Sequence, residues 1–261
     1  MKKNLQIANA VFFILTLIFN YLSNTGIFNG NTMSTVSATY DNLFTPAGYA
    51  FSIWGLIYLG LFGFTIYQGR SLFNKTKDDD LVSEIGWWFV ISCIANILWI
   101  FAWLYDLTGP SVLIMVILLF SLLKIVIRTQ MELLDVPLKT LAFVWWPFSV
   151  YAGWITVALI ANTAAWLTKI GWNAFGIPDA TWAIIMIIVA GAVNVFMIWN
   201  RNMREFALAG VWGLAAVAVS NQDGEQSVAY AAVVVALIIF INTGIHAYQN
   251  RKSISQTILG Q

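Results

Sequence analysis

Eight apolar runs alternate with polar segments along the chain: Leu5 to Leu22, Pro46 to Gln68, Ile85 to Tyr105, Ser111 to Arg128, Leu141 to Leu167, Thr181 to Trp199, Phe206 to Ser220 and Val228 to Ala247. Most have the roughly 17–25 residues that a helix needs to cross the hydrocarbon of a bilayer. The pattern predicts an all-α integral membrane protein with eight transmembrane helices. Lys2 and Lys3 ahead of the first run give it the outline of a signal peptide. No small-residue cleavage site follows it, so it is taken as the first span. Pro46 is placed in the first turn of the second helix, where a missing N–H costs nothing.

Between the runs, Ser23 to Thr45 is the longest loop, with Asn29-Gly30 as a turn; at that length it serves as a lid or as a plain tether. Gly69 to Ser83 carries Arg70, Lys75, Lys77 and Asp78-Asp79-Asp80. Three adjacent carboxylates lack the geometry of a metal site, so this segment is expected to be a solvated loop.

Several helical faces concentrate aromatic and amide side chains. In the fifth run Tyr151, Trp154, Ala158, Asn162 and Trp166 share one face at about 100° per residue. In the third run Trp88, Ser92, Asn96, Trp99 and Trp103 do so, and in the second Phe51, Trp54, Tyr58 and Phe62. Within a bilayer such faces are expected to meet protein or ligand rather than lipid.

Composition narrows the class. Of 261 residues 60% are hydrophobic and 10% charged, against about 25% charged in a soluble domain, which argues against a water-soluble fold. Thirteen Trp, 18 Phe and 9 Tyr are more than interfacial anchoring requires. The net charge of +1 suggests no nucleic-acid partner. Cys93, the one cysteine, excludes an internal disulfide and is expected to be a buried small residue. With eight spans and both termini cytoplasmic, 12 of the 13 basic residues fall inside and only Lys169 outside, as the positive-inside rule demands.

Direction then gives depth. Trp54 lies about 12 Å below the outer surface, and Asn162, Ala158 and Trp154 roughly 8 to 20 Å below it, level with Asn96, Trp99 and Trp103. Two readings of this coincidence stand side by side: a pocket for a flat, largely apolar ligand, or interhelical packing by Asn and Trp. Ion-coupled transport is disfavoured because no helix carries Asp, Glu, Lys or Arg near the midplane. An uncoupled carrier of small solutes remains open. One His and one Cys far apart offer no nucleophile–base pair or metal cluster, so no enzymatic activity is expected, although chemistry on a bound porphyrin through the indoles is conceivable. His246, with Asn242 one turn away, is taken as a hydrogen-bonded packing histidine.

The fifth-run pattern Tyr151-x-x-Trp154-x-x-x-Ala158-x-x-x-Asn162 resembles that of the TspO/MBR family, the tryptophan-rich sensory proteins. Asn96, Trp99 and Trp103 are similar to its third helix, and Pro46, Phe51, Trp54 and Tyr58 to its second. Departures are Pro46-Ala47 in place of paired prolines, Tyr49 near a usual Trp, a Phe51-to-Trp54 spacing one residue short, and Val150 where a Pro precedes the tyrosine. The resemblance covers about residues 5–168. It implies a five-helix bundle (1–168), to which 169–261 adds three helices. It further implies a ligand site for a porphyrin, haem intermediate or sterol-like molecule, with a sensory, regulatory or transport role, often as a homodimer. The expected ligand-binding residues are Phe51, Trp54, Tyr58, Asn96, Trp99, Trp103, Tyr151, Trp154, Ala158 and Asn162. No resident cofactor is required, lipid and a tetrapyrrole-like small molecule are the expected partners, and the expected location is a bacterial inner membrane.

Overall fold

A computed structural model describes residues 2–73 and 80–250. Lys75, Lys77, Asp78, Asp79, Arg251 and Lys252, all used in the charge pattern, lie outside the described residues. The helices, in chain order, are α1 (Lys2–Leu22), α2 (Met33–Thr39), α3 (Ile53–Phe73), α4 (Leu81–Ile85), α5 (Trp88–Leu104) and α6 (Thr108–Arg128), then α7 (Leu138–Thr140), α8 (Trp146–Lys169), α9 (Asp179–Arg201), α10 (Arg204–Asn221) and α11 (Gln226–Gln249). No strand occurs among the described residues. Among the described residues, six helical stretches are long and apolar enough to cross a membrane, and α5 is a shorter apolar helix.

Burial shows which solvent the fold is built for. On α1 the buried positions are Leu5, Gln6, Asn9, Phe13, Thr16 and Asn20. Its exposed face carries Ile7, Val11, Ile14 and Ile18. Polar side chains inside and aliphatic ones outside invert the arrangement of a helix in water, and suit a helix whose outer face meets lipid. The protein is an all-α membrane protein.

Local chemistry sets the element boundaries, and three differ from expectation. Gly86 takes φ 59°, a left-handed conformation that glycine adopts at little cost, so the run from Ile85 divides into α4 and α5. Pro46 does not sit in the first turn of a helix: a 3-10 turn at Gly48–Ser52 intervenes before α3 begins at Ile53. In the fifth span, Leu141–Trp145 forms a π turn directly before α8. Pro147, at the second position of α8, lacks the N–H that an uninterrupted helix would donate to Phe143, and a local change of helical pitch accommodates such a loss.

By packing, the chain divides into two compact units. One comprises residues up to Met33 and from Trp54 to Ala152; the other comprises Ser34 to Ile53 and the chain from Gly153.

The first unit is stratified. Nearest the start of α1, Gln6, Asn9 and Gln68 are buried and tie α1 to α3: Gln6 donates to the Gln68 carbonyl (2.6 Å) and Asn9 to the Gln68 side chain (2.8 Å). The next layer is a knot of phenylalanines. Phe64 lies 5.1 Å from Phe89 and 4.9 Å from Phe148, and Phe13 lies 6.4 Å from Phe89. Gly60 lets α3 approach the fifth span, since a β-carbon there would stand 3.0 Å from the Pro147 side chain.

The second unit has an aliphatic core with Val157, Ile187, Leu214, Val217, Ala232 and Ile239 among its members. Alanine and glycine let its helices pack backbone to backbone. A β-carbon at Gly153 would run into the Phe206 backbone, and one at Gly213 would come 2.6 Å from Val157. The tripeptide Trp54-Gly55-Leu56 recurs as Trp212-Gly213-Leu214, but the two glycines play different parts, since Gly55 faces open space.

Candidate ligand site in the tryptophan layer

Above the phenylalanine knot of the first unit lies a layer of amides and phenols. Asn96 is fully buried; it donates to the Tyr151 hydroxyl at 3.0 Å and accepts from Asn20 at 2.8 Å. Three helices, α1, α5 and α8, are thereby joined by one asparagine. The Tyr58 hydroxyl stands close to the Asn96 and Asn20 amides, yet it is buried without a hydrogen bond to any of the described residues. A buried hydroxyl left in that state is an available donor and acceptor for water or for a polar group on a ligand.

The indoles sit on this polar floor. Trp54 stacks on Tyr58 at 5.4 Å, lies 6.4 Å from Trp99 and meets the Tyr151 ring edge-on at 5.8 Å. Trp99 stacks on Trp103 at 6.0 Å. These rings come from α3, α5 and α8, and their separations are those of favourable aromatic pairs. Trp54, Trp99, Trp103 and Tyr151 are all buried and Tyr58 is half-buried.

The loop after α1 reaches the same end of α5. The Trp103 indole N–H donates to the Met33 carbonyl at 3.2 Å, while Asn29 and Asn31 donate to the Leu104 carbonyl at 3.1 and 3.0 Å. Phe28 packs between Phe19 and Phe101, at 6.2 and 5.0 Å. The expected lid segment is thus anchored, over its first part, onto the helix that carries Trp99 and Trp103.

The other expected site residues belong to the second unit. Trp154 and Asn162 are buried, Ala158 is half-buried, and Phe51 is half-buried in the Gly48–Ser52 turn. Phe62, expected on the Trp54 face, is instead 51% exposed; eight residues after Trp54 within α3, it stands about 80° further round the helix at about 100° per residue, past the edge of the buried face. His246 is buried as expected, but its Nε2 meets the Asn202 side-chain oxygen and the Asn250 amide, each at 3.1 Å, whereas Asn242 takes the Trp199 indole N–H at 3.0 Å. Cys93 is buried and free.

Asn20, the partner of Asn96, was not among the expected residues. A signal for it exists in the sequence: Gln6, Asn9, Thr16 and Asn20 lie along one stripe of the first run, and a polar stripe on a membrane helix points to protein.

A family model described as TSPO-like protein matches residues 6–245. No curated protein and no solved structure matches the chain. The family match begins in the first turns of α1, continues past residue 168, where the motif resemblance stops, and ends in the last turns of α11. Membership therefore extends through both units, and the chain belongs to the TSPO-like protein family.

Proposed function

We propose that the protein binds a flat hydrophobic ligand, a tetrapyrrole of the porphyrin or haem-precursor kind or a sterol-like molecule, in its tryptophan layer, and that binding serves a sensory, regulatory or transport role. The observation that carries this is the stack of Trp54, Tyr58, Trp99 and Trp103 above the Asn96–Tyr151 hydrogen bond. Ring faces provide stacking surface for a planar molecule. The buried Tyr58 hydroxyl provides a directional polar contact. Phe51, Trp154, Ala158 and Asn162 enter the proposal on the sequence motif.

The proposed setting is a bacterial inner membrane crossed eight times, by α1, α3, α5, α6, α8, α9, α10 and α11, with both termini cytoplasmic. The distribution of Lys and Arg supports that orientation. Lipid is one partner and a second copy of the chain another; no nucleic acid, resident cofactor or catalytic reaction is assigned.

Titration of the purified protein with protoporphyrin IX, followed by its visible absorbance, tests the proposal. A saturable shift that weakens in Trp99→Ala is the expected result. Absence of saturable binding, together with solute flux in proteoliposomes, would support an uncoupled carrier instead.

A further inference from the structure

Where α10 turns into α11, the two helices leave a recess of about 240 Å³. It is lined by Ala218 and Ala229, which are buried, by the exposed aliphatic side chains of Val219 and Val233, and by the exposed Gln222, Gln226 and Tyr230. Ala229 is 8% exposed, and its single methyl leaves the space open that a larger side chain would fill.

Polarity is graded along this recess. Gln226 begins α11, and Val233 lies seven residues further on, about 10 Å deeper at the helical rise. Amide groups at one end and aliphatic surface at the other match an amphiphile lying along the helix, its head level with the turn. The turn also selects the charge of that head. Asp223 and Glu225 are both exposed. Asp223 accepts from the Gln222 amide at 3.4 Å and Glu225 from the Ser227 hydroxyl at 2.7 Å; these neutral donors leave the negative charge in place. No Lys, Arg or His lines the recess or occurs in residues 221–227. An anionic head would meet two carboxylates, whereas an ammonium would be attracted to them and to the face of Tyr230.

We propose that this recess binds one phospholipid with a primary-ammonium head, of the phosphatidylethanolamine class. Its ammonium lies at Asp223 and Glu225, its phosphate accepts from the Gln222 and Gln226 amides, and the upper part of an acyl chain runs over Ala229 to Val233. The site is independent of the tryptophan layer.

The test is native mass spectrometry of the full chain released from detergent with equimolar dioleoyl phosphatidylethanolamine and dioleoyl phosphatidylglycerol. The wild type is expected to retain the ethanolamine lipid about fivefold over the glycerol lipid, the scale of one exposed ion pair. Ala229→Leu, which fills the recess, loses that adduct. Asp223→Asn with Glu225→Gln, both on the surface and remote from the core, keeps lipid adducts but loses the preference. Equal retention of the two lipids by the wild type, or a preference unchanged in the charge variant, overturns the proposal. So does a disulfide-linked dimer formed by Tyr230→Cys without any lipid adduct, which would make a second copy the occupant.

Discussion

Asn96 donates its side-chain N–H to the Tyr151 hydroxyl at 3.0 Å while its oxygen accepts from Asn20 at 2.8 Å. One amide therefore satisfies both of its polar atoms on two other helices. Removing it is expected to cost more than removing either partner. Asn96→Leu leaves the Asn20 amide and the Tyr151 hydroxyl buried without that partner, at about 1–3 kcal/mol. Tyr151→Phe deletes a single bond, at about 0.6 kcal/mol, the mean for interhelical hydrogen bonds in membranes. Denaturation in mixed detergent micelles measures both, and the order of the two losses is the prediction.

Close helix approach in the second unit rests on glycine. Gly153→Ala places a methyl against the Phe206 backbone and is expected to destabilise by about 1–3 kcal/mol, the range for overpacking. Gly55→Ala, with nothing within 4 Å of the added carbon, is expected to be neutral or to stabilise by up to about 1 kcal/mol through helix propensity. Thermal denaturation of the two variants separates these outcomes.

Much of this architecture is legible in the sequence because bilayer thickness and helical periodicity act on every span alike. Trp54, Trp99 and Trp103 could be assigned to inward faces because an indole set among aliphatic residues marks a side that avoids lipid. Breaks inside spans were harder to see. Gly86 and Pro147 are ordinary residues in an apolar run until the backbone shows that one takes a positive φ and the other follows a π turn. The segment from Ser23 to Thr45 is rich in Asn, Thr, Ser and Gly, yet it holds α2 and buries Met33, Val36 and Phe44. Its apolar residues are too scattered to set a period over the segment, so only tertiary packing reveals which of them are buried. Asn242 and His246 are one turn apart and could be paired from sequence; His246 instead meets Asn250, one turn further on, and Asn202, which the fold brings to it.

Orientation can be read by labelling. In a Cys93→Ala background, Thr25→Cys, in the exposed loop after α1, is expected to react with a membrane-impermeant maleimide in intact bacterial cells. Asp135→Cys, between α6 and α7, is expected to react only after lysis. The reverse pattern would invert the topology and remove the depth argument for the tryptophan layer.

Trp103 ties the loop to the layer through the Met33 carbonyl. Trp103→Phe keeps a ring in place and deletes that bond. Faster hydrogen exchange at residues 28–33 is the expected outcome, with exchange in α6 unchanged.

Ligand affinity by tryptophan quenching addresses the central claim most directly, provided a distant indole is included. Protoporphyrin IX is titrated into the wild type, Trp54→Ala, Trp99→Ala and Trp199→Ala, the last in a residue that bonds Asn242 near the end of α11. The account predicts saturable quenching, with affinity reduced about two- to tenfold in the first two variants, the scale of one aromatic contact, and unchanged in Trp199→Ala. Equal losses in all three, or full affinity in Trp54→Ala and Trp99→Ala, would contradict it.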